Sequence, residues 1–326
     1  MIISRTPFRI NFFGGGTDFP YFYKEHGGAT LLTTINQYCY ISIHKLSPFF
    51  KHRFRASYAK TESVLKPQEF QHPLVRECLL YLGIKEGLEI SHVADLPGRT
   101  GMGTSSSFTV GLLHALHAFR GDHVTAEDLA REAVHVEREL VGDDGGHQDQ
   151  YAAAYGGFLR LDFAAGPEIT VKKLSLPADR LRALEERLML FYTGVEQSSE
   201  IILREQKQRA PQNVAHLQEM KSLVDEAERV LENGRNLDDF GALLHHTWGL
   251  KKGLSTGIST PAMDQAYAAA RRAGALGGKL LGAGGRGFLL MFVPLTMRHK
   301  VCDALNSYQP VPFSMADDGS RIIFKS

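Results

Sequence analysis

The sequence predicts an α+β protein in two units, a β-rich first half and a mixed α+β second half that part near residue 185. Two periodicities and a length support this. Ile35, Gln37, Cys39, Ile41 and Ile43 alternate with Tyr38, Tyr40, Ser42 and His44, the period of a half-buried strand. Phe108, Leu112, Leu116 and Phe119 fall at helical spacing. At 326 residues the chain exceeds the roughly 250–300 residues at which one core stops growing.

In chain order, residues 1 to about 95 read mostly as strand, with further alternation at 52–58 and 88–93 and a helix around 73–82. The next helix starts after the Gly/Ser-rich segment 97–107. Another spans 126–141. There Thr125 and Asp128 form a capping box, Leu129, Ala133, Val136 and Leu140 make the buried stripe, and Gly142 ends it. Strands follow near 158–162 and 188–193. Leu217, Met220, Val224, Ala227 and Leu231 mark a long amphipathic helix, 237–252 suggests another, and Thr260-Pro261 opens a third with Pro at its first position. Strands return at 279–281, 287–293 and 321–325, so the expected units are 1–185 and 186–326.

Charge narrows the function. Lys and Arg number 37 against 36 Asp and Glu, a formal charge of +1, which removes the electrostatic case for nucleic acid but leaves room for a small anionic substrate. Cys39, Cys78 and Cys302 are odd in number and lack metal-like spacing, so buried thiols in a reducing cytoplasm are expected. The N-terminal stretch has no apolar run of signal-peptide type, and no segment approaches 18 apolar residues; a cytoplasmic protein without membrane contact is expected. A second copy of the chain is the only macromolecular partner in view.

Glycine is the outlier: 32 residues, against roughly 23 at an average usage of about 7%. The excess is clumped at 14–16, 98/101/103, 142/145/146, 156–157 and 277–287, each clump set in apolar periodic sequence. Such clumps serve tight turns or close backbone approach to a ligand. The segment Pro97-Gly98-Arg99-Thr100-Gly101-Met102-Gly103-Thr104-Ser105-Ser106-Ser107 runs straight into a helix and reads as an anion cradle. Its hydroxyls can donate to phosphate or bind Mg²⁺. No Lys precedes them, so it is not a Walker A loop, and the dinucleotide fingerprint is absent. A solvated Ser-rich cap with structural glycines fits this loop as well.

The loop resembles the second motif of the GHMP small-molecule kinases, P-x-x-x-G-L-G-S-S-A-A. Residues 7–18, PFRINFFGGGTD, resemble the first motif, and 279–288, KLLGAGGRGF, the glycine-rich third. Together with GGHQDQYAAAYGGF and LFYTG, they are similar to the heptose-phosphate kinase branch. The resemblance implies a two-domain GHMP fold: a ribosomal protein S5 domain 2-like N-terminal domain and a ferredoxin-like C-terminal domain. It implies ATP and Mg²⁺, and transfer to the anomeric hydroxyl of D-glycero-D-manno-heptose 7-phosphate, giving the 1,7-bisphosphate for nucleotide-activated heptose and surface polysaccharide. The alternatives are a kinase of an unphosphorylated fucose- or mannose-like sugar, an inactive nucleotide- or sugar-binding sensor, and a decarboxylase on the same scaffold.

By the same resemblance Asp149 is the base and Arg9 its partner. Glu137 and Ser105 bind the metal, the 97–107 loop binds nucleotide phosphate, and Gly15, Gly16, Thr17, Asp18, Gly284, Gly285 and Arg286 contact the substrate. From the residues alone, Glu137 reads as an exposed helix glutamate and Asp149 as a dipole-favoured carboxylate. Gly15-Gly16 stand where galactokinase has Glu-His, which predicts room for a bulkier or phosphorylated sugar. Arg286 is expected either on a distal phosphate or on the surface. Arg99, Lys251, Lys252 and Lys279 are candidates for an anion pocket, with a plain surface charge as the alternative for each, and His147 reads as a neighbour of the site rather than its base.

Overall fold

The computed structural model describes residues 1–98, 100–166, 168–194, 200–232, 234–285 and 287–326. Within them the strands form two sheets. The chain lays down β1 (Ile2–Phe13), β2 (Gly28–Lys45), β3 (Phe54–Ser57), β4 (Thr61–Val64), β5 (Leu88–Ala94), β6 (Phe158–Phe163) and β7 (Ile169–Lys173) in the first sheet. The second consists of β8 (Leu188–Tyr192), β9 (Gly277–Leu280), β10 (Phe288–Phe292) and β11 (Gln309–Val311). The chain then returns to the first sheet as β12 (Met315–Ala316) and β13 (Arg321–Lys325).

The long β2 organises the first sheet by changing partners along its length. Gly28–Thr33 pairs with β6, Thr34 and Ile35 with β12, and Cys39–Lys45 with β5, while β1 runs antiparallel along its other edge. The alternation read at 35–43 is real, with Ile35, Cys39, Ile41 and Ile43 buried. The helix Thr104–Arg120 lies on β1 and β2. Its approach is close at Gly111, where a Cβ would stand 2.8 Å from Thr6 Oγ1, and Ser4 Oγ donates to the Gly111 carbonyl at 2.7 Å. That contact fixes where the start of the helix points.

The second sheet has the order β11-β8-β10-β9, antiparallel throughout. Numbered from β8 this is 4-1-3-2 with helices between the first two and the last two strands, the ferredoxin-like pattern expected. Helices Val214–Glu232 and Asp238–Gly253 pack between the sheets' neighbourhoods, the first touching β1 and β2 and the second β9 and β1. Thr260 caps the helix Pro261–Arg272 by accepting from the Met263 N–H, and the Thr125/Asp128 capping box is formed. Cys39 and Cys78 are buried and Cys302 half-buried, all unpaired. No helix among the described residues is long and apolar enough to cross a membrane.

Phe240 couples the two halves. Its buried ring meets Phe12 and Phe13 of β1 edge-on at 5.4 and 5.0 Å and Phe292 of β10 at 6.1 Å. Phe240→Ala should therefore lower the unfolding free energy by about 3–5 kcal/mol, read from urea unfolding. A loss under about 1 kcal/mol would mean that the halves are held together elsewhere.

Candidate active site

Four glycine-bearing segments converge on one cleft of about 320 Å³. Of the residues singled out in the sequence, Arg9, Gly15, Gly16, Asp18, Gly101, Gly103, Thr104, Ser105, Ser106, Glu137, Asp149 and Gly284 line it. Pro97 and Gly98 are exposed at the foot of the loop, outside that lining. Two hydroxyls are committed elsewhere: Ser107 Oγ donates to Pro7 O at 2.8 Å, and Thr17 Oγ1 bonds the Gly14 and Ala29 carbonyls, closing the turn after β1. Gly285 donates its N–H to Ile258 O. Arg99 and Arg286 lie outside the described residues.

The geometry of the loop at 97–107 follows from its glycines. Gly101 and Gly103 sit at φ +79° and +72°, and the helix begins immediately afterwards at Thr104. Thr104, Ser105 and Ser106 of this first turn line the cleft, and a helix start of this kind favours an anion. The third glycine segment packs on this loop. A Cβ on Gly282 would stand 2.3 Å from Gly101 Cα, and one on Gly287 2.4 Å from Thr100 O. Gly282 and Gly287 therefore seat one loop against the other, and Gly282 lines the cleft as well.

Arg9 ties the walls together. Its Nε donates to Asp149 Oδ1 at 2.8 Å and its Nη2 to Asp149 Oδ2 at 2.6 Å, a bidentate pair, while Nη1 donates to Gly101 O at 2.5 Å. The arginine side chain is 6% exposed and the aspartate side chain 23%, so the carboxylate still faces the cleft. Asp149 lies in the first turn of the helix Gln148–Tyr155.

Asp18 is fully buried and accepts from the Gly16 and Gln148 N–H groups at 3.0 and 3.3 Å. Burial, and then the charge of Asp149, push its pKa up against those hydrogen bonds. Gly146 makes room for it, since a Cβ there would sit 1.9 Å from Asp18 Oδ2. The room expected at Gly15 and Gly16 is partly taken: added Cβ atoms would meet Asn11 Oδ1 at 2.9 Å and Leu217 Cδ2 at 3.3 Å.

Glu137 is buried, not exposed as helix periodicity alone suggests. The predicted 126–141 helix is α-helical only to Val134; His135–Leu140 form a π turn, a register change frequent at functional sites. Glu137 Oε2 accepts from Ser106 Oγ at 3.0 Å and Gln150 Nε2 at 2.6 Å, while Oε1 has no hydrogen-bond partner. Its hydroxyl partner is thus Ser106, one residue after Ser105, whose exposed side chain lines the same cleft. Desolvation raises the Glu137 pKa, opposed by the Arg138 charge and by the hydrogen bonds from Gln150 and Ser106.

Lys251 and Lys279 are not surface charges: both are buried, Lys251 in the cleft lining. Lys279 Nζ donates to Asn11 Oδ1 at 2.8 Å and Phe12 O at 3.1 Å. Asn11 in turn donates to Gln148 Oε1 at 2.6 Å, so the second sheet braces the residue before Asp149. Lys252 does lie at the surface, paired with Asp264. His147 contacts Tyr23 OH at 3.2 Å and is pulled down to about 4, chiefly by burial. Asn11, Arg138, Asp143, Gln148 and Gln206 also line the cleft with Lys251, and a search for glycine clumps could not have found those five.

The model of the GHMP kinases N terminal domain matches residues 73–157 and that of the GHMP kinases C terminal matches 220–310, more than half the chain between them. The chain belongs to the GHMP kinase family. Among its relatives, the D-glycero-alpha-D-manno-heptose 7-phosphate kinase of Campylobacter jejuni is 28% identical over 98% of both chains. The mevalonate kinase of Pyrococcus horikoshii is 27% identical over 82% of this chain and 78% of its own. A D-glycero-D-manno-heptose 1-phosphate kinase structure from Bacteroides thetaiotaomicron superposes at TM-score 0.81 with 25% identity, covering both chains fully. The GHMP fold expected from the motifs is thereby shared across the whole length.

In this kinase the Gly101–Gly282 contact leaves no space for a side chain, and both residues have positive φ. Gly282→Ala should cost about 1–3 kcal/mol of stability and most of the turnover, measured by thermal unfolding and ADP release. Unchanged values for both would show that the loops do not need this approach.

Proposed function

We propose that this GHMP kinase is an ATP-dependent sugar kinase of the heptose-kinase type, transferring the γ-phosphoryl group to the anomeric hydroxyl of a phosphorylated heptose. The bidentate Arg9–Asp149 pair carries the proposal, because it sets an oriented carboxylate in a cleft walled by an anion-binding loop. Phosphoryl transfer needs little covalent chemistry beyond positioning and charge stabilisation.

The residues divide that work. First-turn N–H groups after Gly103 hold phosphate oxygens. Asp18, braced by two backbone N–H groups, takes sugar hydroxyls. Asp149 accepts the hydroxyl proton as the sugar oxygen bonds to phosphorus and ADP leaves. Arg9 keeps the carboxylate aligned and offsets charge beside it.

The residues present fit a magnesium ion. Glu137 offers a buried carboxylate oxygen without a hydrogen-bond partner, and Ser105 and Ser106 offer hydroxyls in the same lining. Among the described residues there is no cluster of three or more His, Cys, Asp and Glu, which suits an ion held by one carboxylate together with substrate phosphates. When bound, Mg²⁺ would neutralise phosphate charge.

D-glycero-D-manno-heptose 7-phosphate is the first candidate acceptor, after the Campylobacter relative. Its Bacteroides counterpart is called a heptose 1-phosphate kinase, so the site of the acceptor's own phosphate is the point to test. Turnover should be measured with heptose 7-phosphate, heptose 1-phosphate, free heptose, mannose and fucose, reading the product position by ³¹P NMR. ADP release with the 7-phosphate and a new C1 phosphate ester are expected; no transfer to any sugar would end the proposal.

Asp149→Asn should lower kcat by about 10²–10⁴-fold while ATP still binds. Glu137→Gln should weaken the dependence of turnover on Mg²⁺, seen by titrating the metal back after EDTA. A wild-type Mg²⁺ profile would remove Glu137 as its ligand.

A further inference from the structure

Lys251 is a buried cation without an anion. It emerges from the last turn of the helix Asp238–Gly253 and is 6% exposed, yet it lines the active-site cleft. Its ammonium donates to Leu280 O at 3.2 Å and to Gly282 O. No carboxylate among the described residues lies within ion-pair distance of it. Removing an ammonium from water is costly, and two carbonyls compensate only part of that cost. Its electrostatic neighbours include Arg9, which disfavours the charge, and Asp18, which favours it less strongly.

Position decides what would complete it. Gly282, whose carbonyl holds the ammonium, packs on Gly101 of the phosphate loop, and Arg9 Nη1 is bonded to the carbonyl of that same Gly101. Lys251 and Arg9 therefore flank the seam where the two glycine loops meet. Behind them Lys279 is buried as well, its amine donating to Asn11 Oδ1 and Phe12 O. Asp18, Glu137, Asp143 and Asp149 line the same cleft, yet none of these carboxylates forms an ion pair with Lys251.

We propose that Lys251 is a phosphate-binding residue of this kinase, whose ammonium takes a phosphoryl oxygen of the bound substrates. The inference deepens the sugar-kinase reading and rests on it for the acceptor. Two sources share the chemistry: the acceptor's own phosphate and the γ-phosphoryl group of the nucleotide. Burial has pulled the Lys251 pKa down to about 7, and an arriving dianion would restore the ammonium.

The experiment compares wild type with Lys251→Met and Lys251→Gln, the glutamine retaining N–H donors for the two carbonyls but no charge. Calorimetric titration with heptose 7-phosphate, free heptose, ADP and the non-hydrolysable AMPPNP reads binding without turnover. If the acceptor's phosphate is the ligand, both variants lose affinity for heptose 7-phosphate by about 10- to 100-fold and keep that for free heptose. If the γ-phosphoryl group is the ligand, the loss falls on AMPPNP relative to ADP, and kcat drops for every acceptor. Unchanged preferences for phosphorylated ligands would overturn the proposal. So would an equal weakening of all four ligands with a lower Tm, which would make Lys251 a staple for the loop. Phosphate binding through Lys251 in a protein that phosphorylates no sugar would instead overturn the sugar-kinase reading and leave Lys251 assigned.

Discussion

Everything in the cleft is referred to the guanidinium of Arg9. Three of its nitrogens reach two segments distant in sequence, the carboxylate of Asp149 and the carbonyl of Gly101, while its own backbone N–H bonds Met102 O. One side chain on β1 thereby sets the separation between the Asp149 carboxylate and the glycine loop at 101–103. A planar fork suits this, because its donors are fixed relative to one another; a lysine could hold the aspartate or the carbonyl but would not impose an angle between them.

That demand on geometry accounts for part of the glycine excess, alongside the turns that need positive φ. Several glycines stand where another group already occupies the space a Cβ would need: Gly101 against Gly282, Gly146 against Asp18, Gly145 against the Arg138 guanidinium. The clumps therefore mark where loops from different parts of the chain come within backbone distance. Helix starts and buried carboxylates then face one another across a narrow cleft, and charges act over short range in a partly dry site.

This also accounts for what the sequence revealed. Short-range rules located the capping box at Thr125, the cap at Thr260 and the alternating face of β2, since each depends on residues a few positions apart. The motif resemblance brought Arg9, Asp18, Glu137 and Asp149 into view, and the fold gathers them on one cleft. Other features depend on partners far along the chain. β12 and β13 return to the first sheet after the second is complete, and nothing local to 315–325 announces that pairing. Lys251 and Lys279 carry the residue type most often left in water, so only packing from the opposite half could show them buried. Glu137 was hidden by a π turn, which changes the face a residue presents without changing the composition of its helix.

The residues whose burial local sequence does not show share a property, and it bears on how the cleft works. Glu137, Lys251 and Lys279 are ionisable groups withdrawn from water, and burial moves each pKa toward the neutral form. A protein selected only for stability would replace such groups with apolar ones of similar volume. Their desolvation costs less when ligands bring the opposite charge: a cation for the open oxygen of Glu137, an anion for Lys251. The same burial then strengthens each contact, because the groups need no reorientation from solvent when the ligand arrives. Arg9 and Asp149 differ in being already paired with one another. Their geometry is complete before substrate binds, whereas the charges around them are completed by it. On the proposed function, a preorganised Arg9–Asp149 pair beside an open Glu137 oxygen and an unpaired Lys251 would make occupancy of the cleft the event that completes the site.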